Sequence, residues 1–594
     1  MKVRFPDSTG YASLLDLSEQ AWARMADTTM LALARDDGTT ERWTGRDVER
    51  RSRAAAWRMR ALGLQPGDRL LTWSPPGPDL PTLYLGALRA QVLLVPLDLR
   101  MAPETVQRIV ALADTRWLAL GTGRDAPDPR EVDLGGVQVR TVEWLTAEPA
   151  AAGAPAGAGS AASVAGGPPE VAFPPDWEAQ LEAWERPTRA TDFVIIFTSG
   201  TTGSPKGAVI SHGNVLGTIE AADRVIPQQV HRIVSLLPLS HLFGVVELFY
   251  GMHGSAPILY VRSRNPRVIF QAIRDHHVTT MVVVPQVLDL FWSAVTREVD
   301  RLNHRAAFDR LQGVARHLPY PARRWLFRSL HAQLGGGLNL FICSAAFLPP
   351  ELQEDWEDLG VVVMQGYGSS ECGFATANNP GEHVAGTVGR PMPPVRVRLD
   401  PDTGEVQVAG PSVFTGYWRN PEATQAAFTA DGWYRSGDVG HWDARGCLVL
   451  SGRIKDMIAL PNGLKIYPED IENELRVAGL RDTVVLETSP GRIEAVVLPH
   501  DQPVLPQGGL IPSARARTPE ESAAVRASID AAVKAANAKL GIHQRVVAWR
   551  LWPDADFPRT HTLKIKRDVV RAWVEADSPV AGRRAPDAEG APVT

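Results

Sequence analysis

Thr198-Ser199-Gly200-Thr201-Thr202-Gly203-Ser204-Pro205-Lys206-Gly207 follows directly on Phe193-Val194-Ile195-Ile196-Phe197, and these two runs decide the fold. The apolar run has the length and β-branched content of a buried strand. The run after it combines glycines, hydroxyls and a lysine. Glycine lets backbone N–H groups close on an anion. Hydroxyls donate further hydrogen bonds, and a lysine adds a mobile point charge. The combination suits a loop that wraps phosphate oxygens. It is not a Walker loop, which ends in Gly-Lys-Ser/Thr; here Pro205 precedes Lys206 and Gly207 follows it. A Gly/Ser/Thr stretch alone also reads as a plain turn, so the rest of the chain has to choose.

Upstream, Arg46 to Leu62 reads as a helix closed by Gly63 and a turn at Pro66-Gly67-Asp68. Arg69 to Trp73 reads as a strand, Leu83 to Ala90 as a helix and Val92 to Pro96 as a second strand. This alternation predicts an α/β protein with a mostly parallel sheet covered by helices. A chain of 594 residues exceeds one ordinary core. Residues 147–170 are Ala, Gly, Pro and Ser with almost no charge, which predicts a surface insertion. The tail 578–594 is expected to be disordered.

Composition excludes several classes. The net charge of -5 leaves no footprint for nucleic acid. Cys343, Cys372 and Cys447 lie far apart, without metal-ligand spacing or an even count for a disulfide framework. A reduced, cytoplasmic compartment fits. The N-terminus has no apolar signal core, and no uninterrupted apolar run reaches the ~18 residues of a membrane span. Residues 298–334 carry Arg301, Arg305, Arg310, Arg316, Arg323, Arg324 and Arg328 among apolar residues. They read either as a solvated helical face or as a surface meeting anionic lipid, at the inner membrane face, or the phosphates of coenzyme A.

Further motifs follow. Gln365-Gly366-Tyr367-Gly368-Ser369-Ser370-Glu371 comes after the apolar run Val361–Met364. An aromatic ring at a strand end can stack on a flat base, and a hydroxyl and carboxylate just beyond can reach a phosphate and its magnesium. Asp431-Gly432-Trp433-Tyr434-Arg435-Ser436-Gly437-Asp438 ends in a carboxylate that can accept both hydroxyls of a ribose. Then come Ser451-Gly452-Arg453-Ile454-Lys455-Asp456 and Gly463-Leu464-Lys465-Ile466-Tyr467-Pro468-Glu469-Asp470-Ile471-Glu472, where Pro468 and the acids mark a helix start. Phe557-Pro558-Arg559-Thr560-His561-Thr562-Leu563-Lys564-Ile565-Lys566-Arg567 stands near the C-terminus.

In this order the motifs resemble those of the adenylate-forming superfamily, which holds acyl-CoA synthetases, adenylation domains of nonribosomal peptide synthetases and beetle luciferases. The resemblance implies a large N-terminal domain of layered β-sheets and helices, 1–455, joined by a hinge at Asp456 to a smaller α+β domain, 456–577. It implies ATP, Mg²⁺ and coenzyme A as cofactor and co-substrates. The nucleotide would be bound by Thr198, Ser199, Gly200, Thr201, Thr202, Gly203 and Lys206, by the adenine-side loop at Ser344 and Ala345, and by Tyr367, Asp438 and Arg453. Ser370 would bond the α-phosphate and Glu371 hold Mg²⁺. Lys564 matches the catalytic lysine, with Lys566 the competing candidate and Leu563 where many members have glycine. Gly463 and Lys465 belong to the loop of the thioester step.

Pro238-Leu239-Ser240-His241-Leu242-Phe243-Gly244 resembles the segment at the carboxylate end of the acyl pocket. His241 there orients the carboxylate, gates the pocket or is a satisfied core group. One departure is clear: a Gly-Gly-Ala-Pro pattern in the family is Ser344-Ala345-Ala346-Phe347 here, and the added Cβ atoms restrict that loop. The resemblance, nearest to long-chain fatty acid–CoA ligases, implies that a medium- or long-chain fatty acid is activated as an acyl-adenylate and passed to coenzyme A. The alternatives are an acyl-AMP ligase loading a free-standing carrier protein, a lactone-forming or light-emitting relative, and a non-catalytic nucleotide- or acyl-binding module.

Overall fold

The computed structural model describes residues 5–123, 125–149, 171–198, 205–263, 265–379, 384–460, 464–480, 482–489, 491–498, 519–554, 556–559 and 565–576. The chain divides into two compact units, Met1–Leu450 and Ser451–Thr594. Most of the Ala/Gly-rich stretch and the whole 578–594 tail lie outside the described residues.

In the first unit the expected alternation is present. The helix Gly45–Ala61 starts at a reciprocal cap, in which Thr44 and Asp47 each accept the other's backbone N–H. The strand Arg69–Trp73 follows, then the helix Asp79–Ala90 and the strand Leu93–Pro96. That second helix begins a turn earlier than the sequence suggested. Pro81 sits in its first turn, where the missing N–H has no intrahelical acceptor to lose.

Among the described residues these strands join a seven-stranded sheet, ordered Gly416–Tyr417, Lys206–Ser211, Asp192–Thr198, Leu93–Pro96, Arg69–Trp73, Trp117–Leu120, Gln138–Thr141. Asp192–Thr198 is covered on both faces: Phe193, Val194, Ile195 and Ile196 are all buried. A nine-stranded sheet runs from Arg390–Pro391 through Gly373–Ala377, Val362–Ser369, Leu340–Cys343 and Thr280–Val283 to Thr40–Thr44. Both sheets are parallel in their central strands; the seven-stranded sheet turns antiparallel at one end and the nine-stranded sheet at both. The antiparallel pairs include Asp192–Thr198 with Lys206–Ser211, and Val362–Ser369 with Gly373–Ala377. A four-stranded antiparallel sheet includes Glu405–Ala409 and Tyr434–Trp442.

The arginine-rich stretch forms the helices Arg305–Ala315, Tyr320–Leu326 and Arg328–Gln333, after the end of Pro285–Arg301. Most of its arginines are engaged within the protein. Arg316 pairs with Asp358 at 2.8 Å, Arg323 donates to the Leu318 and Glu357 carbonyls, and Arg324 donates to Leu338 and Gly336. Arg301 pairs with Glu298, and Arg305 lies between Asp300 and Asp309. No helix among the described residues is long and apolar enough to cross a membrane.

The second unit is α+β. The strands Thr483–Ser489, Arg492–Val497 and Ala548–Leu551 form one sheet, accompanied by the helices Pro468–Val477, Pro519–Lys539 and Arg567–Ala576.

Candidate active site

Thr198 and Lys206 are register partners, and the Thr198 hydroxyl donates to the Lys206 carbonyl at 3.4 Å. The phosphate-loop candidate therefore bridges an antiparallel hairpin whose two ends are fixed. Ser199, Gly200, Thr201, Thr202 and Gly203 lie outside the described residues.

The second motif differs from its sequence reading. Tyr367 does not sit beyond a strand; the strand Val362–Ser369 runs through it, and Ser370, Glu371 and Cys372 form the turn of a hairpin into Gly373–Ala377. Two glycines allow this. Gly373 has φ +62°, and a Cβ there would stand 2.2 Å from the Thr218 hydroxyl. A Cβ on Gly368 would stand 1.8 Å from the Gly373 carbonyl oxygen across the hairpin.

Tyr367, buried, donates its hydroxyl to Asp438 Oδ2 at 2.7 Å. The two residues are 71 positions apart, on strands of different sheets. Burial, and then the Asp438 charge, push the phenol well above its ordinary range, so it remains a donor. Glu371 is also buried and accepts the Tyr417 hydroxyl at 3.1 Å. Its own N–H donates to the Ser369 hydroxyl at 3.2 Å. The ammonium of Lys206 lies 5.5 Å from the centroid of the Tyr417 ring. Glu371 and Lys206 thus meet on a tyrosine that the sequence reading did not select.

Just past the interior strand Leu340–Cys343, Ser344 is buried and donates to the Gly366 carbonyl at 2.9 Å, so its side chain ties the loop expected beside adenine to the Tyr367 strand. Ala345 has φ +76°. This is the left-handed region that glycine enters freely and alanine does not.

His241 precedes the helix Leu242–His253, and its Nε2 stands 3.4 Å from Asp98 Oδ2. Asp98 follows the strand Leu93–Pro96 and is buried. Arg100 grips it through Nε at 3.0 Å and Nη2 at 3.1 Å, and the Ser240 hydroxyl adds a bond at 3.3 Å. Burial alone would raise the Asp98 carboxyl; the His241 and Arg100 contacts more than offset it and hold the group well below the carboxylate range. Of the three readings of His241, a plain core group fits least, because its side chain keeps 26% of its surface exposed.

The described residues bring together a tyrosine–aspartate pair, Tyr367 with Asp438, and a carboxylate and a lysine on one phenol, Glu371 and Lys206 on Tyr417. A family model described as AMP-binding enzyme matches residues 18–418. The chain belongs to the AMP-binding enzyme family. The enzyme is 28% identical, over 91% of its chain and 92% of the relative, to a long-chain-fatty-acid–CoA ligase of Mycobacterium bovis. It is 27% identical, over 72% of its chain and 75% of the relative, to a sulfoacetate–CoA ligase of Cupriavidus necator. Its fold matches a solved structure of a Mycobacterium tuberculosis fatty acyl CoA synthetase with a TM-score of 0.62 at 21% identity, covering 97% of the enzyme and 100% of that chain. These matches agree with the expected family and with the α/β fold of a large unit followed by a smaller one.

The enzyme's remaining expected residues fall in its second unit. Arg453 ends the strand Leu448–Arg453, and Asp456 closes the short helical turn Ile454–Asp456. Lys465 is exposed on the strand Lys465–Ile466, which pairs with Ile458–Ala459. Gly463 and Lys564 lie outside the described residues. The chain on either side of Lys564 is fixed: Arg559 bridges Ile565, the Lys566 N–H donates to the Pro558 carbonyl at 2.7 Å, and Arg567 pairs with Glu472.

Among the described residues, no group of three His, Cys, Asp or Glu side chains is placed to hold a metal. Magnesium takes one or two carboxylates and completes its shell with substrate phosphates and water. Glu371 is the carboxylate that the family resemblance assigns to it.

Two residues escaped the sequence reading, Tyr417 and Asp98. Asp98 had a signal, since it lies just past the carboxyl end of a parallel strand, where open α/β sheets bind ligands. Tyr417 had only its place beside Gly416 and Trp418.

Proposed function

We propose that this enzyme is an AMP-forming acid–thiol ligase that activates a medium- or long-chain fatty acid as an acyl-adenylate and transfers the acyl group to coenzyme A. The observation that carries the reading is the convergence of distant motifs: Tyr367 on Asp438, and Glu371 with Lys206 on Tyr417. The ligases among its relatives support the reaction class. The full-length fatty-acid relative favours a fatty acid over the shorter acid of the sulfoacetate ligase.

Joining a carboxylate to ATP brings one anion onto another, so catalysis rests on positioning and charge stabilisation. In our reading Asp438 takes the ribose hydroxyls, held in place by the Tyr367 hydroxyl, and the Ser344–Ala345 loop flanks the base. Thr198 and Lys206, with the loop between them, donate to the phosphates, and Ser370 donates to the α-phosphate. Magnesium bound at Glu371 would supply the positive charge that neutralises the phosphate oxygens. His241, oriented by Asp98, faces the acid's carboxylate. Lys564 donates to the oxygens that gain charge as pyrophosphate leaves. The mixed anhydride is sensitive to water and needs a closed site. Arg453 contacts the ribose and phosphate, and rotation about Asp456 would then bring the loop of Gly463 and Lys465 to the adenylate for attack by the thiol, which displaces AMP.

The test is AMP release from Mg-ATP across a panel of carboxylic acids, with and without coenzyme A. Release that requires both a fatty acid and coenzyme A is the expected result. Pyrophosphate release with a trapped adenylate and no coenzyme A effect would replace the acceptor with a carrier protein. Turnover confined to short polar acids would overturn the fatty-acid assignment.

A further inference from the structure

We propose that Tyr417 is a positioning residue that sets the magnesium carboxylate and the phosphate-loop lysine against each other across the seam between the two large sheets. The proposal rests on the assignment of Glu371 and Lys206 made above.

Tyr417 is fixed from several directions. The strand Gly416–Tyr417 pairs with Lys206–Ser211, placing Tyr417 opposite Ala208. Its N–H donates to the Thr424 hydroxyl at 2.9 Å, and its ring meets Phe414 edge-on at 4.9 Å. The flanking residues are tied as well. Phe414 N–H donates to the Glu371 carbonyl at 2.8 Å, and Trp418 N–H donates to the Gly207 carbonyl at 2.7 Å. One short segment therefore grips the hairpin turn of the nine-stranded sheet and the phosphate-loop strand of the seven-stranded sheet. From it, the phenol hydroxyl reaches Glu371 and the ring face reaches Lys206.

The two ends of the side chain do different work. The hydroxyl fixes one oxygen of Glu371 and, being neutral, leaves the carboxylate charge for a cation. The ring attracts the lysine through its π face without a hydrogen bond, so Lys206 stays near Glu371 without closing a salt bridge on it. A direct Lys206–Glu371 pair would cancel both charges needed for Mg-ATP.

Two variants separate these roles. Tyr417→Phe keeps the ring and its packing on Phe414 and removes the hydroxyl; Tyr417→Leu removes both. Calorimetric titration of ATP without any acid, across a range of Mg²⁺ concentrations and at none, reads binding rather than turnover. For Tyr417→Phe we expect the Mg²⁺ concentration giving half-maximal enhancement of ATP binding to rise about tenfold. Magnesium-free ATP binding and the melting temperature should stay as in the wild type. For Tyr417→Leu the magnesium-free binding should weaken too. Glu371→Gln serves as the reference. If it shifts the magnesium dependence and Tyr417→Phe does not, the proposal is overturned and the Glu371 assignment stands. If neither variant shifts it, both fall together. If Tyr417→Phe weakens ATP binding equally with and without magnesium, the hydroxyl does not act through the carboxylate, and the proposal is overturned.

Discussion

Glu371 and Asp98 are both buried carboxylates near the site, and they are held in opposite ways. Asp98 is gripped by the Arg100 guanidinium on both oxygens, with Ser240 and His241 beside it. Glu371 accepts a tyrosine hydroxyl, and no ion pair reaches it among the described residues. A guanidinium partner fixes a carboxylate and neutralises it. A phenol fixes it and leaves the charge in place. Asp98 is thereby suited to supporting a neighbour and Glu371 to meeting a cation. Glu247, on the helix Leu242–His253, is a third case: buried, with the Ser235 hydroxyl its one hydrogen-bond donor among the described residues, it is pushed up to about 8 by burial.

The largest expected loss comes from taking the guanidinium away. Arg100→Ala leaves the Asp98 charge buried and should cost about 3–5 kcal/mol of stability, read by chemical denaturation at neutral pH. Asp98 has a depressed folded pKa, so its contribution is full above the unfolded value of about 3.9 and lost only as pH falls through the lower folded value. The Arg100→Ala deficit should accordingly shrink in acid. A deficit that does not change between pH 7 and 3 would break the contrast.

Glu247 has the opposite sign. Its folded pKa is raised, so its contribution is full below about pH 4.3 and is lost as pH rises toward the folded value. Between pH 5 and 8 the wild type should lose about 4 kcal/mol, and Glu247→Gln should remove most of that slope. Denaturation curves of both proteins at the two pH values test this.

Glu371→Gln should cost about a hundredfold in ATP–pyrophosphate exchange with little change in melting temperature. A large stability loss would mean that Glu371 is held like Asp98 after all. The smallest effect is expected of Tyr367→Phe. Losing one hydrogen bond to Asp438, about 1 kcal/mol, should raise the KM for ATP several-fold and leave the maximal rate near the wild-type value.

Much of the architecture was legible in the sequence because its signals are local. Phe193–Phe197 reads as a strand from its apolar, β-branched run, and it lies fully buried. Ser344 and Ala345 stood out because side chains replace glycines, and Ala345 does adopt the left-handed backbone that explains the usual glycine. The failures are long-range. Arg323 and Arg324 read as part of a solvated or lipid-facing surface because the Glu357 and Leu338 carbonyls they donate to are remote in sequence. The strand through Tyr367 outlasts its apolar run because its hydrogen-bonding partner is the returning strand Gly373–Ala377, which a window on residues 361–371 does not contain. Tyr417 lies 46 residues from the carboxylate it holds.

The segment from Phe414 to Trp418 also behaves as a ruler. One end is bonded to the Glu371 carbonyl and the other to the Gly207 carbonyl. The four peptide steps between them reach at most about 14 Å. The separation of the two sheets at this seam is therefore set by how many residues lie in the segment as well as by which they are. Lengthening it by one would let both bonds form at several spacings, and the distance between lysine and carboxylate would cease to be a single value.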